Sequence, residues 1–329
     1  MKRRLLGVFA ATITLAAVPG LARAQDSGEG AAGPVVGTLL DPITIFATLS
    51  PLAAFDFPGQ VSVVEREEIQ ARQASSIADV IRDVPGVFVD GGARRSGQAP
   101  TIRGFREEDI LILVDGVKQS FISGHDGRIF IEPDLLKTVE IVKGPMSALY
   151  GSGALGGVIA LTTVDAADFL EPGETAGVRL KAGYQSGNDE YMLTSTGFMR
   201  TKDGKFDAVA SFTYRDTGNI ELGNGATLPE QEKIAASLLK GTTQLSEDMK
   251  FTGTWVHYQN DALNPNNPQG NSVGDLVNRF VQSDTVSGKL SYAPTGNPLV
   301  DGNLLVYWAR HVSDEDDVSD PRVTDHTRF

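Results

Sequence analysis

Cysteine is absent from all 329 residues of this chain. Disulfide bonds and thiolate metal sites are therefore excluded, and packing and strand pairing have to stabilise the fold. Beyond the N-terminal segment, no run approaches the roughly 18 consecutive apolar residues that a membrane-spanning helix needs. Basic residues are also scarce: the chain has 29 lysines and arginines against 42 aspartates and glutamates, and its formal net charge is −13. This balance argues against a nucleic-acid partner, because the phosphates would be repelled.

The N-terminus reads as a secretory signal peptide. Three basic residues, Lys2, Arg3 and Arg4, precede an almost wholly apolar run at residues 5–18 and an A-x-A site at residues 22–24. This order is the signature of an exported protein, so we predict that residues 1–24 are removed. In an exported chain with no further long apolar run, only a closed β-barrel could cross a membrane. A soluble β-rich protein is the alternative.

Residues 25–59 are predicted to form a flexible arm. Its first part, residues 25–37, consists mainly of glycine, alanine, serine and acidic residues and has little to bury. Residues 41–48 are instead a short β-prone island, which begins Asp41, Pro42, Ile43, Thr44, Ile45. An apolar, β-branched peptide on such an arm suits addition to the edge of a partner's sheet. The alternative is an ordinary first strand of the following domain.

Residues 60–165 are expected to form one α+β domain, because about 100 residues are enough for one core. The pattern predicts strands and one serine-capped helix, in the order strand 61–64, helix 75–82, strand 87–90 and strand 110–114. Asp115-Gly116, directly after the last of these strands, is a hairpin signal. Some members of a charge-rich set in this domain are expected to form ion pairs that lock the domain against its surroundings or release it: Arg103, Arg106, Arg128 and residues 107–109.

Residues 137–163 are the most informative stretch of the chain. Two β-prone runs, residues 138–142 and 158–163, flank a segment dense in glycine: Gly144, Gly151, Gly153, Gly156 and Gly157. Such glycines allow positive φ and close packing, and we predict that they are structural. Residues 151–156 also fit G-x-G-x-x-G. A β-branched run follows where a dinucleotide site needs a helix, so this fingerprint is rejected.

From residue 176 onward, apolar and polar residues alternate in segments of 7–10 residues. About seven such strands fit before residue 329, and aromatic residues lie near their ends, as is typical of transmembrane β-barrels. The short turns read as residues 202–205, 246–248 and 294–301. The long polar loops read as residues 217–230, 260–283 and those from 313 onward, where the acidic run 314–317 lies.

These features together resemble the TonB-dependent outer-membrane receptors. The matching motifs occur in order, at residues 79–86, 102–105, 110–116 and 137–163. The resemblance is to the haem/haemoglobin subfamily (HmuR-like; haemoglobin/transferrin/lactoferrin receptors). It implies an α+β plug domain, residues 60–165, followed by antiparallel transmembrane β-barrel strands from residue 176 to residue 329. Since such a barrel has about 22 strands, the chain is expected to be the N-terminal portion of a longer receptor.

The same resemblance implies active import across the outer membrane of a Gram-negative cell. Haem, either free or carried by a host haem protein, would be the transported ligand, and no catalytic cofactor is expected. Residues 41–48 would be the TonB box, which binds the energy-coupling protein TonB in the periplasm, and outer-membrane lipid would surround the barrel. A ferric-siderophore receptor is the alternative. No catalytic motif predicts an enzyme.

His125 is the candidate ligand for haem iron. It lies in a glycine-flanked loop, residues 120–128, shortly after the Asp115-Gly116 turn. A lone histidine in such a loop is commonly a solvated residue, yet neutral imidazole is a good axial ligand for iron. The resemblance implies that His125 faces incoming haem from the apex of the plug and that a second ligand follows residue 329. His257 is expected to pack near a strand end.

Overall fold

The computed structural model describes residues 43–44, 52–120, 129–270, 273–297, 300–319 and 324–328, which belong to one compact unit, Asp41–Phe329. Its first part comprises the end of the predicted arm and the predicted plug domain, and its described residues form ten strands and three short helices. The strands are β1 Ile43–Thr44, β2 Leu52–Ala53, β3 Gln60–Glu65, β4 Val87–Asp90, β5 Ala99–Ile102, β6 Phe105–Arg106, β7 Ile110–Val114, β8 Val117–Gln119, β9 Leu136–Lys143 and β10 Gly157–Thr163. The helices are α1 Arg66–Ala71, α2 Ile77–Ile81 and α3 Ser147–Tyr150. Short 3-10 turns occur at Ala54–Asp56, Arg95–Gly97, Glu107–Asp109, Pro133–Leu135 and Ala166–Asp168.

The plug is built around a mixed five-stranded sheet in the order β3-β9-β10-β7-β8. Strands β7 and β10 pair in parallel and the other neighbours are antiparallel. The predicted hairpin at Asp115-Gly116 is confirmed: both residues have positive φ, 48° and 85°, and β7 pairs with β8 across them. A second sheet, β4-β5-β6, stands beside the first.

Helix α2 shows how the local sequence directs the fold. The Ser76 hydroxyl accepts the N–H of Asp79, and the Asp79 carboxylate accepts the N–H of Ser76, which closes a capping box. The apolar side chains of the helix, Ile77 and Val80 among them, are buried in the plug core. The predicted helix is therefore confirmed, although it is shorter than residues 75–82.

The second part of the chain is an antiparallel sheet of eight strands, which we call the wall. In sheet order its strands are β11 Ala176–Gln185, β12 Glu190–Arg200, β13 Phe206–Thr217, β16 Gln231–Gln244, β17 Met249–Pro265, β18 Leu276–Tyr292, β19 Gly302–Asp317 and β20 Thr324–Arg328. A separate hairpin, β14 Ile220–Glu221 and β15 Thr227–Leu228, lies in the connection between β13 and β16. Among the residues that the structure describes, no helix is long and apolar enough to cross a membrane.

The two faces of the wall differ in chemistry. Along β13, exposed Phe206, Phe212 and Tyr214 alternate with buried Ser211, Thr213 and Arg215. The outward face of this strand is therefore apolar and aromatic, whereas its inward face is mainly polar, with Val209 as an apolar member, and packs on the plug. Eight residues separate Phe206 from Tyr214, which is about 27 Å along an extended strand. This alternation agrees with a strand that faces lipid on one side and a polar interior on the other.

Two long loops expected from the sequence are shorter in the structure. Residues 260–283 and the residues from 313 onward were predicted to be loops, but β17 runs to Pro265, β18 begins at Leu276 and β19 runs to Asp317. The polar residues that suggested a loop include Asn260, Asn264 and Arg279, whose side chains are buried on the inward face. Polar residues are common both in solvent-exposed loops and on the plug side of a wall strand. Composition alone therefore predicted loops where the structure has strands.

Candidate functional site

The loop between β4 and β5, residues 91–98, is held tightly against the wall, and we call it the plug loop. Arg94 is fully buried there; its Nε donates to the carbonyl of Pro229 at 3.0 Å and its Nη1 to that of Gly270 at 3.2 Å. In return, the N–H of Gly270 donates to the carbonyl of Gly91 at 3.0 Å. Because Gly270 lies in the connection between β17 and β18, this connection and the plug loop are tied together.

Where the plug loop meets the wall lies a largely buried cluster of two arginines and three glutamates, which we call the charged cluster. From the plug come Arg95 and Glu132, and from the wall come Glu190, Arg215 and Glu232. Arg95 lies 3.0 Å from Glu190 and also pairs with Glu232. Arg215 binds Glu132 through two parallel hydrogen bonds of 2.9 and 2.6 Å and pairs with Glu190 as well. Every side chain in this cluster thus has an opposite charge next to it.

Such pairing is what makes buried charges tolerable. Burial disfavours the charge on Arg95, but the carboxylates of Glu232 and Glu190 outweigh it and raise the pKa of this guanidinium above its ordinary value. The Asn260 amide also donates to Glu232 at 2.7 Å. A cluster that is fully paired fixes geometry, and it becomes costly as soon as one partner is removed.

Glu230 is the less well balanced charge next to this cluster. It lies just before β16, is buried, and has the Arg94 Nε at 3.4 Å and the Ser96 hydroxyl donating at 3.3 Å. Burial, together with the neighbouring Glu232 carboxylate, raises the pKa of Glu230 to about 8. Near neutral pH the Glu230 carboxyl therefore keeps its proton and is mostly neutral.

Further ion pairs join the plug and the wall away from the plug loop. Lys181 of β11 lies 2.7 Å from Asp134, and Lys240 of β16 lies 2.9 Å from Asp165. The charge-rich set expected from the sequence behaves differently, since Arg106 lies 3.7 Å from Asp90 inside the plug and Arg128 lies outside the described residues. The sequence did contain one signal for the charged cluster: Glu190 and Glu232 are acidic residues at inward-facing positions of strands with an alternating pattern.

The predicted structural glycines occupy the β9–β10 connection and its flanks. Positive φ occurs at Gly144 (118°), Gly151 (75°), Gly153 (91°) and Gly157 (153°), but not at Gly156. At Gly156 the constraint is space, because an added Cβ would lie 2.3 Å from the Cβ of Phe105. At Gly157 it would lie 2.3 Å from the carbonyl oxygen of Val142. In both cases the close neighbours are atoms of the plug itself.

The remaining predicted site residues lie mostly outside the described ranges. His125 falls in residues 121–128, and Asp41, Pro42 and Ile45 of the predicted TonB box also lie outside them. Ile43 and Thr44 form β1, which pairs antiparallel with β2 in the register Ile43 to Ala53 and Thr44 to Leu52. The role of each of these residues stays a prediction.

Three aromatic rings meet where the plug touches β17 and β19. Phe130 of the plug lies between Tyr258 and His311, with ring centroids 5.9 and 4.9 Å away. His257 lies on the opposite face of β17 from Tyr258. There its Nδ1 is 2.8 Å from Oδ1 of Asp284, and its ring stacks on Trp255. The sequence reading singled out His257 for packing and assigned no role to His311.

The comparisons with known proteins agree with this architecture. Residues 53–158 match the model of the TonB-dependent receptor plug domain. The hemin receptor of Yersinia pestis is 37% identical over 272 residues, which is 82% of this chain and 40% of that protein. The chain belongs to the TonB-dependent receptors. It spans about 40% of the length of the hemin receptors that it matches.

Solved structures show the same fold for this receptor. The hemophore receptor HasR of Serratia marcescens, in complex with its hemophore HasA and heme, superposes with a TM-score of 0.73 at 23% identity. That match covers 84% of this chain and 40% of HasR. The FrpB iron transporter of Neisseria meningitidis gives a TM-score of 0.72 at 23% identity, over 82% of this chain and 44% of FrpB. The described residues thus have the plug-and-barrel fold of these structures, in which the wall corresponds to strands of the barrel.

Proposed function

We propose that this receptor binds haem at the surface of a Gram-negative cell and imports it into the periplasm with energy supplied through TonB. The observation that carries the proposal is the 37% identity with a hemin receptor, because it extends over 82% of the chain, through both plug and wall. Haem is the transported ligand, either free or delivered by a haem-carrying protein. The receptor acts as a transporter and uses no catalytic cofactor.

The same proposal assigns a role to each segment of the chain. Residues 1–24 are the signal peptide, residues 25–59 the arm, residues 60–165 the plug and residues 176–329 the first part of the barrel. Asp41, Pro42, Ile43, Thr44 and Ile45 begin the TonB box. His125 supplies an imidazole to haem iron, and Gly144, Gly151, Gly153, Gly156 and Gly157 serve the plug fold.

In this proposal the energy reaches the plug mechanically, through TonB. A peptide that adds to a sheet edge transmits a pull through its backbone hydrogen bonds. In the structure, β1 already pairs with β2 of the same chain. TonB would then either pair with the other edge of β1 or displace β2 from it.

The proposal is tested by haem uptake in a strain that lacks its own haem receptors, with and without TonB. We expect haem-dependent growth only with both the receptor and TonB, and no growth response to a panel of ferric siderophores. Siderophore-dependent growth without haem uptake would contradict the haem assignment and support the alternative substrate class.

Two substitutions separate coupling from binding. Ile45→Pro removes a backbone donor from the TonB box, so uptake should stop while surface binding of haem persists. His125→Ala should weaken haem transfer and shift the Soret band of bound haem, with normal receptor level in the outer membrane. An Ile45→Pro strain that imports at the normal rate would remove the coupling role from this segment. An unchanged Soret band in His125→Ala would remove His125 from the site.

A further inference from the structure

The plug loop presents two consecutive arginines to two carboxylates of the wall, and the two resulting pairs differ. Arg95 makes a direct hydrogen-bonded ion pair with Glu232. Arg94 instead directs its Nε to the carbonyl of Pro229 at 3.0 Å, and Oε2 of Glu230 lies 3.4 Å from the same nitrogen. One wall carboxylate is thus held by a charge-assisted hydrogen bond, whereas the other is only near a cation whose donor is directed elsewhere.

The surroundings of Glu230 offer little to stabilise a negative charge. Its side chain is buried, and its Oε2 accepts no hydrogen bond from the residues that the structure describes. Its Oε1 accepts one from the hydroxyl of Ser96 at 3.3 Å, and this hydroxyl in turn accepts from the amide of Asn264. Burial with so few donors disfavours a carboxylate, so the neutral acid is the stable form in this position.

The charged groups around Glu230 come from two elements. The plug loop contributes the guanidinium groups of Arg94 and Arg95, and β16 contributes the carboxylate of Glu232. Burial has the largest influence and the Glu232 carboxylate adds to it, whereas the two arginines oppose them only in part. The pKa of Glu230 is therefore raised to about 8, in agreement with the scarcity of donors.

The plug loop supplies part of the cover over this carboxyl group. Arg94 and Ser96, two side chains that contact it, both belong to the loop. Glu230 itself belongs to the wall, where its backbone N–H donates to the side chain of Asn219 at 3.1 Å. When the loop leaves, Glu230 stays with the wall and loses contacts that exclude water. In water the pKa of its carboxyl returns to the ordinary 4.5.

We propose that Glu230 is a proton-linked switch of the seam, which carries a proton while the plug loop is attached to the wall and releases it to water when the loop detaches. Only the carboxyl O–H bond breaks, and bulk water takes the proton. The attached state is fully stabilised below pH 4.5 and loses this stabilisation as the pH rises through 8, because it binds the proton more tightly than the detached state. Alkaline pH therefore favours opening of the seam, whichever ligand passes through it.

The test follows attachment of the plug loop in the purified receptor. A spin label at Ala93→Cys, an exposed position of the loop, becomes mobile when the loop detaches, and urea is titrated at several pH values from 6 to 9. We expect the equilibrium constant for detachment to rise severalfold per pH unit and to level off above pH 8. Tenfold per unit is the limit for one proton. Glu230→Gln keeps the shape of the neutral acid but has no proton to release, so its constant should not depend on pH.

Asp134→Asn is the matched control, because Asp134 pairs with Lys181 across the seam but away from the plug loop. This variant should detach at lower urea by the same amount at every pH and keep the pH dependence. Ser96→Ala gives a second check. It removes the donor to Glu230, so the constant should continue to rise beyond pH 8.

Three results would overturn the proposal. The first is a detachment constant that does not depend on pH in the unaltered receptor, or that falls as the pH rises. The second is an equal pH dependence in Glu230→Gln, which would assign the proton to another group. The third is an unchanged pH range in Ser96→Ala, which decides the matter even if Glu230→Gln does not fold. None of these results depends on haem uptake, so the proposed function is tested separately.

Discussion

Inside the plug, neighbouring strands meet through aliphatic side chains such as Val139, Ile141 and Ile159, all 0% exposed, whereas the seam between plug and wall also buries arginines and carboxylates. The wall does contribute apolar residues to this seam, among them Ile234 and Leu238. Charged groups can exchange a protein partner for water at little net cost, and aliphatic groups cannot. The core of the plug should therefore stay folded under conditions in which the plug separates from the wall.

This difference suits a receptor whose plug blocks its own barrel. Passage of a large ligand requires the seam to open while the plug keeps its core. Ion pairs such as Lys181 with Asp134 and Arg215 with Glu132 hold the closed state, and water can replace each partner once the seam is wetted. In the proposed function, import therefore takes place through the seam and is driven from the proposed TonB box.

The largest effect is expected inside the plug. Gly157→Val would place a Cβ 2.3 Å from the carbonyl oxygen of Val142, at a φ of 153°, and the β9–β10 pairing would have to break. We expect no folded receptor in the outer membrane, as judged by heat-modifiable migration on a gel. Gly173→Val is the matched control, because φ there is 90° but no atom lies within 4 Å of the added Cβ.

At Gly173 the backbone strain alone should cost on the order of 1–2 kcal/mol, and the receptor level should fall only slightly. Equal loss of folded receptor from both variants would show that backbone conformation, and not close packing, makes Gly157 necessary.

The next effect is expected at the seam. Glu132→Gln weakens the two charge-assisted hydrogen bonds of the buried Arg215 while Glu190 stays beside it, so the seam should lose about 1–3 kcal/mol. The plug should become sensitive to protease at lower urea concentration. Asp83→Asn is the control, since Asp83 lies 2.7 Å from Arg72 but is 67% exposed.

An exposed pair of that kind is worth at most about 1 kcal/mol, and Asp83→Asn should leave protease sensitivity nearly unchanged. If the two variants behave alike, the charged cluster does not hold the seam.

How far the sequence could predict this architecture depends on the range of the interactions. The capping box of Ser76 and Asp79 and the Asp115-Gly116 hairpin were predictable, because each depends on residues within three positions. The pairing of Arg95 with Glu232 joins residues 137 positions apart, and no local pattern specifies it. The extent of β17 and β18 was misjudged for a related reason: their polar residues face a polar plug that the local sequence does not show.

The smallest effect is expected at Glu230, and it depends on pH. Its pKa is raised to about 8 in the folded receptor from an ordinary 4.5, so the folded state keeps a proton that the unfolded state releases. Stability should therefore fall as pH rises from 4.5 through 8. Glu230→Gln should remove this part of the pH dependence and stabilise the receptor more at pH 9 than at pH 5.

Thermal unfolding of the purified receptor in detergent, across that range, measures the difference. An equal shift in melting temperature at both pH values would contradict a raised pKa at Glu230.

The seam itself can be locked, because the chain contains no cysteine that would interfere. The side-chain Nδ2 of Asn264 in β17 donates to the Oγ of Ser96 in the plug loop at 2.8 Å, so these two side chains meet across the seam. In Ser96→Cys/Asn264→Cys, we predict that oxidation abolishes haem uptake while surface binding persists, and that reduction restores uptake. Full uptake with the disulfide formed would contradict import through an opening seam.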